Sequence, residues 1–104
     1  MNDFERIDRI NRQIQNDLSQ ILMDYAGDFI ISVVKVNTSK DLSNSKVFVS
    51  VLGDNSGLIE KLNSSSKQIR MDLTKKIKLL KTPRLEFIID LEDNSRENIE
   101  ELLK

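Results

Sequence analysis

Hydrophobic residues recur every three or four positions through residues 3–24, which is the spacing of an amphipathic helix. The apolar positions of this stripe are Phe4, Ile7, Ile10, Ile14, Leu18 and Ile21. Acidic and basic side chains are mixed around the stripe, as on an ordinary solvated helix face. Gly27 follows just past the stripe, so we expect it to end the helix in the left-handed cap conformation.

Two stretches rich in β-branched residues come next, at 29–38 and 46–52, and both are predicted to be strands. A polar loop, 39–45, separates them. The second stretch has apolar side chains on both faces, with Val47, Val49 and Val51 on one and Phe48 and Leu52 on the other. This pattern predicts a strand inside a sheet, partly covered on each side.

Residues 55–81 have a helical pattern in which six apolar side chains keep one register: Leu58, Leu62, Ile69, Leu73, Ile77 and Leu80. The two-turn gap between Leu62 and Ile69 contains three serines, 64–66, and serine favours helix ends. Either the helix breaks there and restarts with Ser65 or Ser66 as its cap, or it is continuous with a small residue at a close contact. In both cases the register keeps the two halves on one side of the sheet.

Pro83 ends this helical run, because the residue before a proline is pushed out of the α region. Residues 84–91 then alternate, with Leu85, Phe87, Ile89 and Leu91 predicted to face the core. Further on, Asn94 and Glu97 have capping-box spacing. This spacing predicts a short C-terminal helix that carries Ile99, Leu102 and Leu103.

The predicted order is therefore α-β-β-α-α-β with a small helix at the end. The first two strands can pair as a hairpin, and about thirty residues of helix between the second and third suit a parallel, right-handed crossover. We expect an α+β fold with a three-stranded mixed sheet. A chain of 104 residues is predicted to form one domain, 1–104.

Composition narrows the chemistry. The chain has no Cys and no His, which removes disulfides, thiolate chemistry, the commonest general base and the commonest nitrogen ligand for transition metals. No glycine-rich phosphate loop or nucleophile–base pair is present, and Asp41 and Asp90 fit turn and cap positions. We expect no enzymatic activity, no cofactor and no metal. With no apolar run of membrane-spanning length, we expect a cytoplasmic protein.

Charge is distributed unevenly along the chain. Residues 61–85 carry eight basic side chains and one acid, a charge of +7, within a chain whose total is −1. Such a segment indicates a partner with repeated negative charge, of which nucleic acid is the commonest. It is equally compatible with a solvated helix face, since lysine suits exposed helix positions.

Three segments resemble the ribosome-binding factor A family: residues 36–50 (VNTSKDLSNSKVFVS), the helix pair at 62–73, and residues 83–90 (PRLEFIID). The likeness covers nearly the whole chain in the right order and spacing. It implies a type II KH-like fold and a bacterial assembly factor that binds the small ribosomal subunit and its precursor ribosomal RNA. One departure is that Ser65-Ser66-Lys67 stands where the family has an Ala-x-Gly break between the helices.

The resemblance and the basic segment together give one set of candidate RNA-binding residues: Lys67, Arg70, Lys75, Lys76, Lys78, Lys81 and Arg84. Only those off the apolar stripe can reach a ligand, and Arg70 lies at its edge. No surface aromatic platform is evident, so docking onto folded RNA and protein is expected rather than base readout. We expect a monomer. The alternative is a KH-like protein-interaction module that does not bind RNA and engages a basic partner through its acidic end, 86–104.

Overall fold

The computed structural model describes residues 3–27, 29–52, 57–77 and 81–90. Its elements follow the predicted α-β-β-α-α-β order, with one additional short helix, α2, after the first. They are α1 (Asp3–Ile21), α2 (Met23–Ala26), β1 (Ile30–Thr38), β2 (Asn44–Leu52), α3 (Leu58–Ser64), α4 (Ser66–Lys76) and β3 (Arg84–Ile89). The predicted C-terminal helix after Asn94 lies outside the described residues.

The sheet has the order β1-β2-β3, with β1 and β2 antiparallel and β2 and β3 parallel. The predicted hairpin, the parallel crossover and the central position of β2 are therefore confirmed. The strands turn Val33, Val36, Val47, Val49, Leu85 and Phe87 into a core shared with the helices. We call the opposite side of the sheet the open sheet face. Leu52 on this face is 70% exposed, so the expected cover on both sides of β2 is not found among the described residues.

Helix α1 packs on the sheet through four residues of the predicted stripe, Ile10, Ile14, Leu18 and Ile21, which are all buried. Phe4 also belongs to the predicted stripe, but it is 79% exposed at the beginning of the helix. The stripe continues past the end of the surface that it covers. Gly27 has a positive φ of 63°, as expected for a helix end, but its ψ of −122° is outside the left-handed helical region.

The long helical segment is broken at Ser65, which lies between α3 and α4 with φ −95° and ψ 5°. Its backbone N–H donates to the carbonyl oxygens of Lys61 and Leu62, at 3.0 and 3.1 Å. Its side chain makes no capping hydrogen bond, so the predicted side-chain cap is wrong although the break is confirmed. Leu62, Ile69 and Leu73 are fully buried, and the register on the core side is kept through the break.

Candidate nucleic-acid interface

Three of the predicted RNA-binding residues lie together where α4 begins beside β3. Lys67 and Arg70 are three positions apart on α4, and therefore neighbours on its surface, and Arg84 is the first residue of β3. With Ser66 and Leu85 they line a cavity of about 340 Å³, which we call the cation-lined cavity. No carboxylate is among these lining residues. Three cations around a concave surface without an acid form a site suited to an anion.

Arg70 also has a structural role in this site. Its Nε and Nη2 atoms donate to the carbonyl oxygen of Thr82, at 2.9 and 2.6 Å. Thr82 is buried, and its hydroxyl oxygen lies 2.9 Å from that of Thr74 on α4. The guanidinium therefore ties α4 to the segment that leads into β3. Only part of its donor capacity remains for a ligand, since a guanidinium has five N–H groups.

The sheet fixes the backbone of Arg84. The Arg84 N–H donates to the carbonyl oxygen of Ser43 in the β1–β2 turn, at 2.9 Å. Asp41 organises that turn by accepting hydrogen bonds from the hydroxyls of Ser43 and Ser39, at 2.6 and 2.7 Å, and from the Ser43 N–H. These bonds, that of the Ser43 hydroxyl first, lower the pKa of Asp41 to about 2. The expectation that Asp41 is a turn residue is confirmed.

Lys75 and Lys76 lie in different surroundings, although they belong to the same helix. They line a cavity of about 310 Å³ with Gln20, Ile21, Asp24 and Asp72, which we call the mixed-charge cavity. The Lys76 ammonium donates to Gln20 Oε1 at 3.2 Å. Arg70 and Lys75 are separated by five residues, about 140° around a helix with 3.6 residues per turn. The predicted group of seven is thus divided between two surfaces.

The mixed-charge cavity also borders a buried polar contact. The Tyr25 hydroxyl donates to Asp72 Oδ2 at 2.8 Å, joining α2 to α4. Desolvation of Tyr25, and then this hydrogen bond, raise the pKa of the phenol. Asp72 also accepts a long hydrogen bond from Gln68, at 3.4 Å. The carboxylates here hold the helices together, and they offset the charge of the two lysines.

The two remaining candidates are less well defined. Lys81 is exposed in the segment before β3, outside both cavities as lined above. Lys78 lies outside the described residues. The sequence reasoning also missed two exposed cations on the open sheet face, Lys35 and Lys46. The Lys35 ammonium lies 4.7 Å from the centroid of the Phe48 ring. Strand alternation was the signal that could have placed them on one face.

Neither a metal centre nor a membrane span is found in the part of the chain that the structure describes. No three or more His, Cys, Asp or Glu residues come close enough there to hold a metal ion. None of the described helices has the length and apolar content to cross a bilayer.

Comparison with known proteins agrees with the observed architecture. The family model described as ribosome-binding factor A matches residues 6–103. A ribosome-binding factor A from Acetivibrio thermocellus is 34% identical over 94 residues, covering 84% of this chain and 76% of the relative. The solution structure of a Thermotoga maritima protein assigned as a ribosome-binding factor A has a TM-score of 0.69 and 27% identity. It covers 85% of this chain and 90% of that one.

A further match is a homology model of the Thermus thermophilus ribosome-binding factor A, fitted into the cryo-electron microscopy map of its complex with the 30S subunit. Its TM-score is 0.54 at 23% identity, over 69% of this chain and 90% of that one, which is a likeness of fold. The element order, the mixed sheet and the helix break agree with these relatives, and the fold is type II KH-like. The chain belongs to the ribosome-binding factor A family.

Proposed function

We propose that this protein binds the small ribosomal subunit through the cation-lined cavity and assists late maturation of the subunit. The observation that carries the proposal is the grouping of Lys67, Arg70 and Arg84 around one concave surface that no carboxylate lines. Ribosomal RNA offers a dense row of phosphates, and cations that replace its counterions supply most of the affinity. The named activity of the relatives and the 30S complex of the Thermus protein support the same partner.

The ligand at the cavity is a phosphate group of ribosomal RNA. Lys67 supplies a mobile ammonium, and Arg84 supplies a planar guanidinium that can donate two parallel hydrogen bonds to phosphate oxygens. Ser66, the first residue of α4, lines the same cavity, so the positive end of the helix dipole adds to the field of the cations. These contacts recognise backbone and shape rather than base edges, as expected for docking onto folded RNA.

In this proposal the chain acts as a cytoplasmic monomer and a single domain that binds without catalysis. Arg70 contributes in two ways: its bonds to Thr82 hold the segment before Arg84, and its remaining N–H groups face the cavity that it lines. Lys81 and Lys78 belong to the segment just before β3 and are secondary contacts of the same ligand. Lys75 and Lys76 contribute least, because Asp24 and Asp72 line the same cavity as these two lysines.

The test is co-sedimentation of the full chain with purified small and large ribosomal subunits. We expect binding to the small subunit only, and loss of that binding when Lys67→Glu and Arg84→Glu are combined. Circular dichroism confirms the fold, since exposed charges contribute little to stability. Equal binding by the wild-type chain and the double variant would refute the role of the cavity. Binding of a basic protein, with none to either subunit, would instead support the protein-interaction module.

A further inference from the structure

The open sheet face carries a diagonal row of cations. Lys35 on β1 is paired with Phe48 on β2, and Arg84 on β3 is paired with Asn44 on β2. Lys46 lies midway between Asn44 and Phe48, so each step of the row moves one strand across and two residues along. With strands about 4.8 Å apart and about 3.3 Å per residue, neighbouring Cα atoms of the row are about 8 Å apart.

All three cations are exposed, and none of them forms an ion pair with another described residue. The acid closest to the row in the strand pairing is Glu86, which is the β3 partner of Lys46. Even this pair does not reach salt-bridge distance. The charge of the row therefore stays available to an anionic partner on a face that no described helix covers.

The row is continuous with the cation-lined cavity, because Arg84 belongs to both. Its side chain lines the cavity beside Lys67, and its strand position places it at the end of the diagonal. The order Lys67, Arg84, Lys46, Lys35 thus runs from the beginning of α4, over the β3 edge of the sheet and across its open face. Phe48, with the Lys35 ammonium over its ring, adds a half-buried aromatic surface at the far end.

We propose that these four cations form one phosphate-binding track for a single-stranded segment of RNA, which enters at the cavity and crosses the open sheet face. The inference rests on the proposed function at the cavity and extends it to Lys46 and Lys35. A single strand suits the path, because it can bend over the edge of the sheet, whereas a duplex is stiff on this length scale. Phe48 offers an apolar surface to a base or ribose next to the last phosphate.

The probe is a fluorescently labelled oligouridine RNA of about 12 nucleotides, a length within the range of known single-strand sites. Its affinity for the full chain is measured between about 50 and 200 mM salt. The test variant combines Lys35→Gln and Lys46→Gln. The matched control combines Arg6→Gln and Arg9→Gln, which removes the same charge from exposed positions on α1. A third variant, Lys67→Gln with Arg84→Gln, reports on the cavity.

We expect the Lys35/Lys46 variant to bind more weakly and to lower the slope of log affinity against log salt by about 1.4, at about 0.7 for each phosphate of a single strand. The Arg6/Arg9 control keeps a slope close to that of the wild-type chain. In the wild-type chain, the RNA also shifts the ring resonances of Phe48. This last measurement reports on the far end of the track without any substitution.

If the Lys35/Lys46 variant matches the Arg6/Arg9 control while the Lys67/Arg84 variant loses affinity, the track is wrong and the cavity stands. Failure of the wild-type chain to bind the oligomer, or tighter binding of a duplex of the same length, also overturns the track. The proposed function is judged separately, by binding to the small subunit.

Discussion

The cation-lined cavity and the mixed-charge cavity are built on one helix and have similar volumes, about 340 and 310 Å³. The first groups Lys67, Arg70 and Arg84 with no acid, and the second sets Lys75 and Lys76 among Asp24 and Asp72. Along the sequence, all five cations belong to the same segment of charge +7. The comparison shows that a run of cations predicts a binding surface only where the fold keeps carboxylates away from it.

The largest effect on stability is expected at Arg70, which separates it from its neighbour Lys67. Arg70→Met removes two hydrogen bonds to the Thr82 carbonyl, and Thr82 is buried. An unsatisfied buried acceptor costs about 1–3 kcal/mol, so the free energy of unfolding in urea should fall by that amount. Lys67→Met is the control and should stay within about 0.5 kcal/mol, because Lys67 is exposed. Equal losses would show that the bonds of Arg70 to Thr82 do not hold the fold.

The second prediction neutralises the acids of the mixed-charge cavity. Combining Asp24→Asn with Asp72→Asn leaves Lys75 and Lys76 without local carboxylates, and should raise affinity for the small subunit. Exposed charge interactions are worth about 0.3–1 kcal/mol, which corresponds to a gain of about two- to fivefold. The measurement is co-sedimentation at moderate salt. The control, Glu5→Gln with Glu60→Gln, removes two acids elsewhere. A gain as large in the control would mean that only net charge matters.

The third prediction concerns Tyr25, whose phenol reports on the same cavity. Asp72→Asn should lower the pKa of Tyr25 only part of the way to its ordinary value, because desolvation is the larger cause of the increase. The chain has one Tyr and no Trp, so absorbance of the phenolate gives this pKa directly. Asp24→Asn should lower it less, since that charge is the smallest cause. An unchanged pKa in Asp72→Asn would exclude the contact.

This increase also has a consequence for stability. The folded state disfavours the phenolate, so the contribution of Tyr25 to stability is fully present below the ordinary pKa of about 10. It is lost as the pH rises through the higher pKa of the folded state. The loss should be smaller in Asp72→Asn, measured as the free energy of unfolding across alkaline pH.

The smallest effect is expected in the turn that supports Arg84. Ser43→Ala should raise the pKa of Asp41 from about 2 towards its ordinary value, because the Ser43 hydroxyl is the main cause of the lowering. Ser39→Ala should raise it less, and Ser50→Ala, outside the turn, not at all. The contribution of Asp41 to stability is present above the ordinary value and is lost as the pH falls through about 2. Carboxyl chemical shifts measured in an NMR titration check this order, and a reversed order would contradict the hydrogen bonds of the turn.

Periodicity predicted much of the fold, because burial imposes it directly. The sheet order follows from the apolar alternation around Val47 and from a helical crossover too long for a hairpin. Phe4 shows where this reasoning fails, since a stripe can extend beyond the surface that covers it. Ser65 shows another failure: serine marked the break, but backbone groups rather than its side chain satisfy the helix end.

The candidate site was harder to predict, because its composition depends on contacts across the chain. The position of Arg84 beside Lys67 requires the crossover to bring the beginning of β3 against α4. The bond of Arg70 to a backbone carbonyl leaves no pattern in the side-chain sequence. Asp24 lies about fifty residues before Lys75, so its effect on that lysine is visible only in three dimensions.

The most direct test of the account compares two double charge reversals in the full chain: Lys67→Glu with Arg84→Glu, and Lys75→Glu with Lys76→Glu. Both change the net charge by the same amount, so only the position of the charges differs. Affinity for the purified small subunit is measured by co-sedimentation across a salt series. We predict that the first variant loses binding, and that the second keeps its affinity within about fivefold, with a salt slope like that of the wild-type chain. Equal losses in the two variants, or a greater loss in the second, would contradict the assignment of the cation-lined cavity as the ribosome-binding site.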